Sequence, residues 1–233
     1  MINLCNKPVF IHSMFRSGST YLYEVFRRHK EEYWCYYEPL HEEIKFLKNT
    51  DIEKSQKINL TLHHPILDKP YFDEFLKIGV DLNLVFKKRF SYDCFFLEKN
   101  QDDPELKHYI QLLLDHASKR PLLQFCRSTG RIPWLKSNFK AIHIFLLRNP
   151  WDQWFSYKIT PYFDHANRLI FCASSVPLVI NDLRKNIRII CRHTQDISDD
   201  FRFCASTHTS PEISYTIFFA LWCYTFIQGS HHA

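Results

Sequence analysis

Residues 9–26 read VFIHSMFRSGSTYLYEVF. The run Val9-Phe10-Ile11 is short and apolar, as a buried strand requires, and Tyr21, Leu22, Val25 and Phe26 fall at helical spacing. Between them, Arg16-Ser17-Gly18-Ser19-Thr20 forms a small-residue turn with one cation. A strand that turns tightly into a helix directs unpaired backbone N–H groups at one point. The helix dipole adds partial positive charge there, so the point suits a phosphate. Gly18 admits the tight-turn geometry, Ser19 and Thr20 add hydroxyl donors, and Arg16 adds a charged fork. The Walker spacing GxxxxGK[ST] is absent. By itself, RSGST reads equally well as a polar turn that caps a helix.

Outward from this stretch, strand patterns alternate with helix patterns. Tyr33-Trp34-Cys35-Tyr36-Tyr37 reads as a second strand, ended by Glu38-Pro39 because proline cannot extend the ladder. Residues 41–48 read as a short helix and 49–70 as a surface excursion containing His63-His64-Pro65; 71–96 are ambiguous, with a turn at Gly79. Asp103-Pro104 is a cap followed by a first-position proline. It opens an amphipathic helix through Leu106, Tyr109, Ile110, Leu113, Leu114 and Ala117.

Pro121 to Cys126 is a third strand with Arg127 at its end, and 131–138 a short helix. Ile142 to Leu147 is the clearest buried strand, after which Asn149 caps and Pro150 opens a helix through Tyr157. Residues 158–176 read as an irregular aromatic loop. Pro177 opens a helix through Cys191 with Leu183, Ile187 and Ile190 inward. Residues 201–209 read as a polar loop, and Ser210-Pro211 starts a last apolar helix to Ile227.

This alternation predicts an α/β fold, a P-loop-like parallel sheet of four or five strands flanked by helices on both faces. At 233 residues the chain fits one domain with a sizeable core. In such sheets ligands bind beyond the carboxyl ends of the strands. Arg16, Glu38, Arg127 and Arg148 all fall there, which describes a cationic pocket with a single carboxylate.

Composition is that of an ordinary globular protein, 45% apolar and 24% charged. The net charge of +5 suits an anionic ligand; the basic residues are too dispersed for a nucleic-acid surface. The apolar stretch 213–227 falls short of the ~20 residues of a membrane span. The eight cysteines form no CxxC, several sit in apolar runs, and no secretory signal opens the chain. These features predict free thiols and a cytoplasmic protein. His63-His64 and Cys191-x-His193 have no second pair at closed-site spacing, so no metal is expected.

The second informative stretch is Arg148-Asn149-Pro150-Trp151-Asp152-Gln153-Trp154-Phe155-Ser156, a cation at a strand end with a hydroxyl eight residues on. Here the chain resembles the sulfotransferases that use 3′-phosphoadenosine 5′-phosphosulfate (PAPS). RSGST after a strand is similar to that family's 5′-phosphosulfate loop. RNPWDQWFS is similar to its 3′-phosphate motif, and Tyr37-Glu38-Pro39-Leu40 to a segment of its carbohydrate-modifying members. CRSTGRIPWL, residues 126–135, resembles the linking segment of the same group. The matches keep the family's order over about residues 8–160. The loop carries Arg16 where cytosolic members have lysine. The family pattern also has a further strand and helices beyond the helix at 211–227, so the resemblance describes a single domain, 1–233, without them.

The resemblance implies sulfuryl transfer to an acceptor hydroxyl, with a carbohydrate favoured, and no metal. It implies that Arg16 and the backbone of Ser17, Gly18, Ser19 and Thr20 hold the 5′-phosphosulfate, and that Arg148 and Ser156 hold the 3′-phosphate. Arg127 would contact the sulfuryl oxygens. Glu38 would be the general base, with His41 in reserve and a salt bridge to Arg16 or Arg127 as the competing role. Trp151 or Trp154 would border the adenine or pack in the core. The acceptor pocket would come from 49–96 and 158–176. Two other readings remain open: a non-catalytic binder of adenosine phosphates, and a P-loop kinase, which would need a loop lysine and a magnesium carboxylate.

Overall fold

The computed structural model describes residues 6–47 and 70–233. Its four strands are β1 (Val9–Ser13), β2 (Tyr33–Tyr37), β3 (Arg120–Phe125) and β4 (Ile142–Leu146). Among the described residues they form one all-parallel sheet in the order β2-β3-β1-β4. Val9 pairs with Leu122 on one side and Ile142 on the other, so β1 is central and wholly buried. The expected α/β class and the first three strands therefore stand.

The fourth strand differs from expectation. β4 is half-buried along its whole length, although IHIFL is apolar enough to read as a core strand. In this sheet it lies at an edge, with β1 as its neighbour. Hydrophobicity is set by the residues; burial is set by what lies alongside.

Helix α1 (Ser19–Arg28) follows β1, and the 3-10 turn Glu42–Phe46 follows β2. Two short helices come next, α2 (Asp73–Leu76) and α3 (Leu82–Val85), with Gly79 between them at φ +69°. Helix α4 (Pro104–Asp115) starts where Asp103 accepts the Leu106 amide, and it buries Leu106, Tyr109, Ile110 and Leu113. Helix α5 (Ile132–Asn138) follows β3. In α6 (Pro150–Tyr157) the Asn149 side chain accepts the amides of Trp151 and Asp152.

Two expected loops are helices. Residues 162–171 form α7 (Tyr162–Phe171), which interrupts the expected loop 158–176. Its helical period is masked in the sequence because polar Asn167 and Arg168 are buried beside Phe163, Ala166, Leu169 and Ile170. Residues expected as a polar loop from 201 belong to α9 (Ile197–Ser206), started upstream by Asp196 accepting the Ser198 amide. Between them, α8 (Leu178–Ile187) stops at Arg188, which takes φ +52°, so it does not reach Cys191 and Ile190 is 64% exposed rather than inward. The last helix, α10 (Pro211–His232), runs five residues beyond Ile227. No helix among the described residues is long and apolar enough to cross a membrane.

The expectation of free thiols fails at one pair. Cys172, at the end of α7, and Cys191 are joined in a disulfide. Apolar neighbours do not distinguish a buried thiol from half of a bridge. Cys35, Cys94, Cys126, Cys204 and Cys223 are free. Of the predicted features, the helical reading at Lys48, His63-His64-Pro65 and most of the excursion 49–70 lie outside the described residues.

Two apolar clusters stabilise the fold. One packs β1, β2 and β3 against α1, α4 and the segment 71–90; the other packs α6, α7 and α10 around Trp154, Tyr157, Phe163 and Phe218. Trp154 is thus a core residue, whereas Trp151 is 58% exposed.

Candidate functional site

The parallel sheet brings all four strand ends to one edge. Beyond it lies a cavity of about 200 Å³ lined by Arg16, Gly18, Ser19, Thr20, Glu38, His41, Arg127 and Arg148, with Phe15, Tyr37, Tyr162 and Phe163 among its aromatic walls. Sites 130 residues apart in sequence meet here because parallel strands point their carboxyl ends the same way.

The turn after β1 has the geometry an anion needs. Gly18 sits at φ +87° as the N-cap of α1 and brings no side chain, so no side chain caps the helix's first turn. Arg16 also takes a left-handed φ, +61°, and Glu38 another, +41°. Among the described residues, only one other non-glycine residue has positive φ. Such backbone costs about 1–3 kcal/mol per residue and concentrates at functional sites. At Glu38 the following proline already disfavours the right-handed helical region.

Arg16 and Ser156 are in direct contact: Arg16 Nε donates to Ser156 Oγ at 2.9 Å. Arg148 Nη1 donates to the Arg16 carbonyl at 2.9 Å, and the Arg148 carbonyl accepts from Trp222 Nε1 of α10 at 3.1 Å. The two sequence motifs are therefore one structural unit. Burial and the neighbouring Arg148 charge lower the Arg16 pKa from its usual value.

The loop hydroxyls serve different ends. Ser17 Oγ donates to the Met14 carbonyl at 2.9 Å and accepts from Gln153 Nε2 at 3.1 Å. Gln153 also donates to the Phe15 carbonyl at 2.6 Å, so Ser17 and Gln153 brace the loop from behind. Ser17 and Ser156 do not line the cavity; Ser19 and Thr20 do. Ser19 Oγ lies 3.4 Å from Cys126 Sγ, and Thr20 Oγ1 lies 3.1 Å from the Tyr37 hydroxyl. Burial and the Glu38 charge push the Cys126 thiol up to about 12, so this sulfur is no nucleophile at neutral pH.

At the other wall, Arg127 is 1% exposed and holds two carboxylates. Its Nη1 pairs with Glu38 and its Nη2 donates to Glu42 at 3.0 Å. The Tyr162 hydroxyl accepts from Arg127 Nη2 at 2.6 Å and donates to Glu42 Oε1 at 2.8 Å. Burial would raise the Glu42 pKa. The His41 and Arg127 charges, a backbone hydrogen bond and the Tyr162 hydroxyl outweigh it and hold the group at about 2. His41 lines the cavity, while its Nδ1 accepts the Glu43 amide at 3.2 Å and so caps the turn 42–46.

Sequence reasoning missed Glu42, Tyr162 and Phe163. Glu42 had a signal, a second carboxylate four residues past Glu38. Tyr162 and Phe163 had none, because their helix was read as a loop. From the described part of 71–96, Tyr92 reaches the site by its hydroxyl, 3.5 Å from Arg127 Nη2. The His-Cys pair considered for zinc is altered too, since Cys191 is bonded to Cys172.

No protein-family model, no curated protein and no solved structure matches the chain.

Proposed function

We propose that this chain is a PAPS-dependent sulfotransferase that transfers a sulfuryl group to an acceptor hydroxyl, with a carbohydrate as the favoured acceptor class. The observation that carries this reading is the junction of Arg16, Ser156 and Arg148 on one side of a cavity whose other side holds Glu38 and Arg127. Cations and an uncapped helix start on one wall suit a bisphosphate donor, and a carboxylate across from them suits a proton acceptor.

In the reaction the acceptor oxygen forms a bond to sulfur as the bond from sulfur to the bridging phosphate oxygen breaks. The bridging oxygen keeps the electron pair and leaves as adenosine 3′,5′-bisphosphate. The acceptor proton passes to a Glu38 carboxylate oxygen. Arg16 and the first amides of α1 stabilise the charge that develops on the leaving phosphate. Arg148 and Ser156 orient the 3′-phosphate, and Arg127 faces the sulfuryl oxygens.

Glu38 paired to Arg127 is a poor base until it turns toward an acceptor. Removing one partner of a buried ion pair costs about 3–5 kcal/mol. Here Glu42 stays on Arg127 when Glu38 turns away, which offsets that cost. The same pairing supports a second reading, a binder of adenosine phosphates in which Glu38 is structural. The kinase reading has less support, because among the described residues no lysine lines the cavity. The disulfide favours an oxidising compartment over the cytoplasm.

The test is calorimetric titration with adenosine 3′,5′-bisphosphate in the absence of magnesium, on the wild type and Arg148→Ala. Micromolar binding lost in the variant supports the donor site. No binding by a folded chain overturns both the enzyme and the binder readings. Turnover with PAPS that disappears in Glu38→Gln while binding persists separates enzyme from binder.

A further inference from the structure

Arg168 lies in α7 at 5% exposure, and the ion pairs among the described residues give it no carboxylate. Nη1 donates to the Thr207 carbonyl at 3.1 Å and Thr209 Oγ1 at 3.2 Å, and Nη2 donates to the Ile190 carbonyl at 3.1 Å. Nε has no partner. All these acceptors are neutral and the guanidinium lies 5.3 Å from the centre of the Phe203 ring, so a full charge is buried with dipoles and a ring face but no anion to balance it, a costly arrangement. Buried Arg127, by contrast, holds two carboxylates. The two nearby acids are committed elsewhere: Asp164 to Lys158 at 3.0 Å, and Asp200 to Lys88 and the Thr194 hydroxyl.

Arg168 forms one wall of a cavity of about 190 Å³ that shares no residue with the one at the strand ends. Its polar lining offers donors in His165, His208, Thr209 and Ser214, while the Thr207 hydroxyl donates to the Phe203 carbonyl, and Asp164 is its one acid among the described residues. We propose that this cavity binds a tetrahedral oxyanion, sulfate or a sulfate ester, whose charge completes Arg168. The imidazoles and hydroxyls supply the remaining hydrogen bonds. Such an anion joins α7, the segment 207–209 and the first turn of α10, and so braces the helix whose first residue is Tyr162 of the catalytic cavity. The inference is independent of the sulfotransferase reading.

The full chain is titrated with sodium sulfate at constant ionic strength, and in parallel with glucose 6-sulfate, following the melting temperature. The proteins are the wild type, Arg148→Ala, Arg168→Gln, and a His165→Gln/Ser214→Ala double variant that keeps the buried guanidinium. The expected result is a saturable stabilisation that survives Arg148→Ala, weakens about tenfold in the double variant, and is absent from Arg168→Gln if that variant folds. Tighter binding of the ester assigns the site to a sulfated molecule, and tighter binding of sulfate to the free ion. Stabilisation that does not saturate, that is lost in Arg148→Ala, or that is unchanged in the double variant overturns the proposal.

Discussion

Arg16 Nε donates to Ser156 Oγ at 2.9 Å, across 140 residues of chain. This bond ties the turn after β1 to the second turn of α6, and it occupies two groups that the proposed bisphosphate donor would need. On the proposed reading, donor binding would exchange a neutral acceptor of Arg16 for a charged one, which makes a stronger hydrogen bond. In the same reading, Ser156→Ala removes a hydroxyl that would orient the 3′-phosphate and one hydrogen bond of Arg16. The expected outcome is a tenfold weaker affinity for adenosine 3′,5′-bisphosphate, about 1.4 kcal/mol, measured by calorimetry, with an unchanged melting temperature. Unchanged affinity would remove Ser156 from the donor site.

Glu42 shares the buried Arg127 with Glu38. Its pKa of about 2 lies below the ordinary carboxylate value of 4.5. The folded state thus holds the carboxylate more tightly than the unfolded chain does, and this stability is complete above pH 4.5 and lost as pH falls through 2. In Glu42→Gln, stability at pH 7 should fall by about 2 kcal/mol, the scale of a hydrogen bond to a charged group. The acid slope between those values should shrink as well. If the proposed sulfotransferase reading holds, turnover should also drop, because Glu38 is then the one carboxylate left on Arg127 among the described residues. Urea titrations at pH 7 and pH 3, beside steady-state rates, check all three.

His12 is fully buried in the central strand, with Nδ1 2.7 Å from Ser128 Oγ and Nε2 2.9 Å from His143 Nδ1. Burial first, then the His143 and Lys136 charges, push the His12 pKa well down. Burial and Lys136 lower His143 to about 4. The unfolded chain takes these protons near 6.5 and the folded chain resists them, so stability should fall as pH drops from about 6.5 to about 4. His143→Gln should flatten part of this slope. A stability curve level across that range in the wild type would contradict the buried pair.

The Cys172–Cys191 bridge closes a loop over 19 positions, around all of α8. Cross-links of this span stabilise by about 3 kcal/mol. Cys172→Ser should lose roughly that much in urea unfolding, and it should lose nothing if the thiols are reduced in the wild type. Alkylation of the denatured, unreduced wild type should leave two cysteines unmodified.

The meeting of the four strand-end residues was legible because strand-to-helix turns are written locally. Arg16 to Thr20 must be a strand-to-helix turn for the backbone to gather its amides, and Asn149-Pro150 caps a helix wherever it falls. Parallel topology then fixed that Arg16, Glu38, Arg127 and Arg148 share an edge. Glu42, Tyr162 and Phe163 were not legible, because their roles depend on α7 folding back over the strand ends, and α7 buries polar residues that hide its period. That Glu38 pairs with Arg127 was an open choice in the sequence.

Apolar runs, caps and turns determined the strands, most helix starts and the α/β class, since each is a short-range preference of a few neighbouring residues. Only the tertiary structure decided that β4 lies at an edge, that Cys172 meets Cys191, and that among the described residues Arg127 holds two carboxylates while Arg168 holds none. Those outcomes depend on which distant segments come to lie side by side, and burial, charge pairing and cross-linking are properties of such encounters rather than of any one stretch of chain.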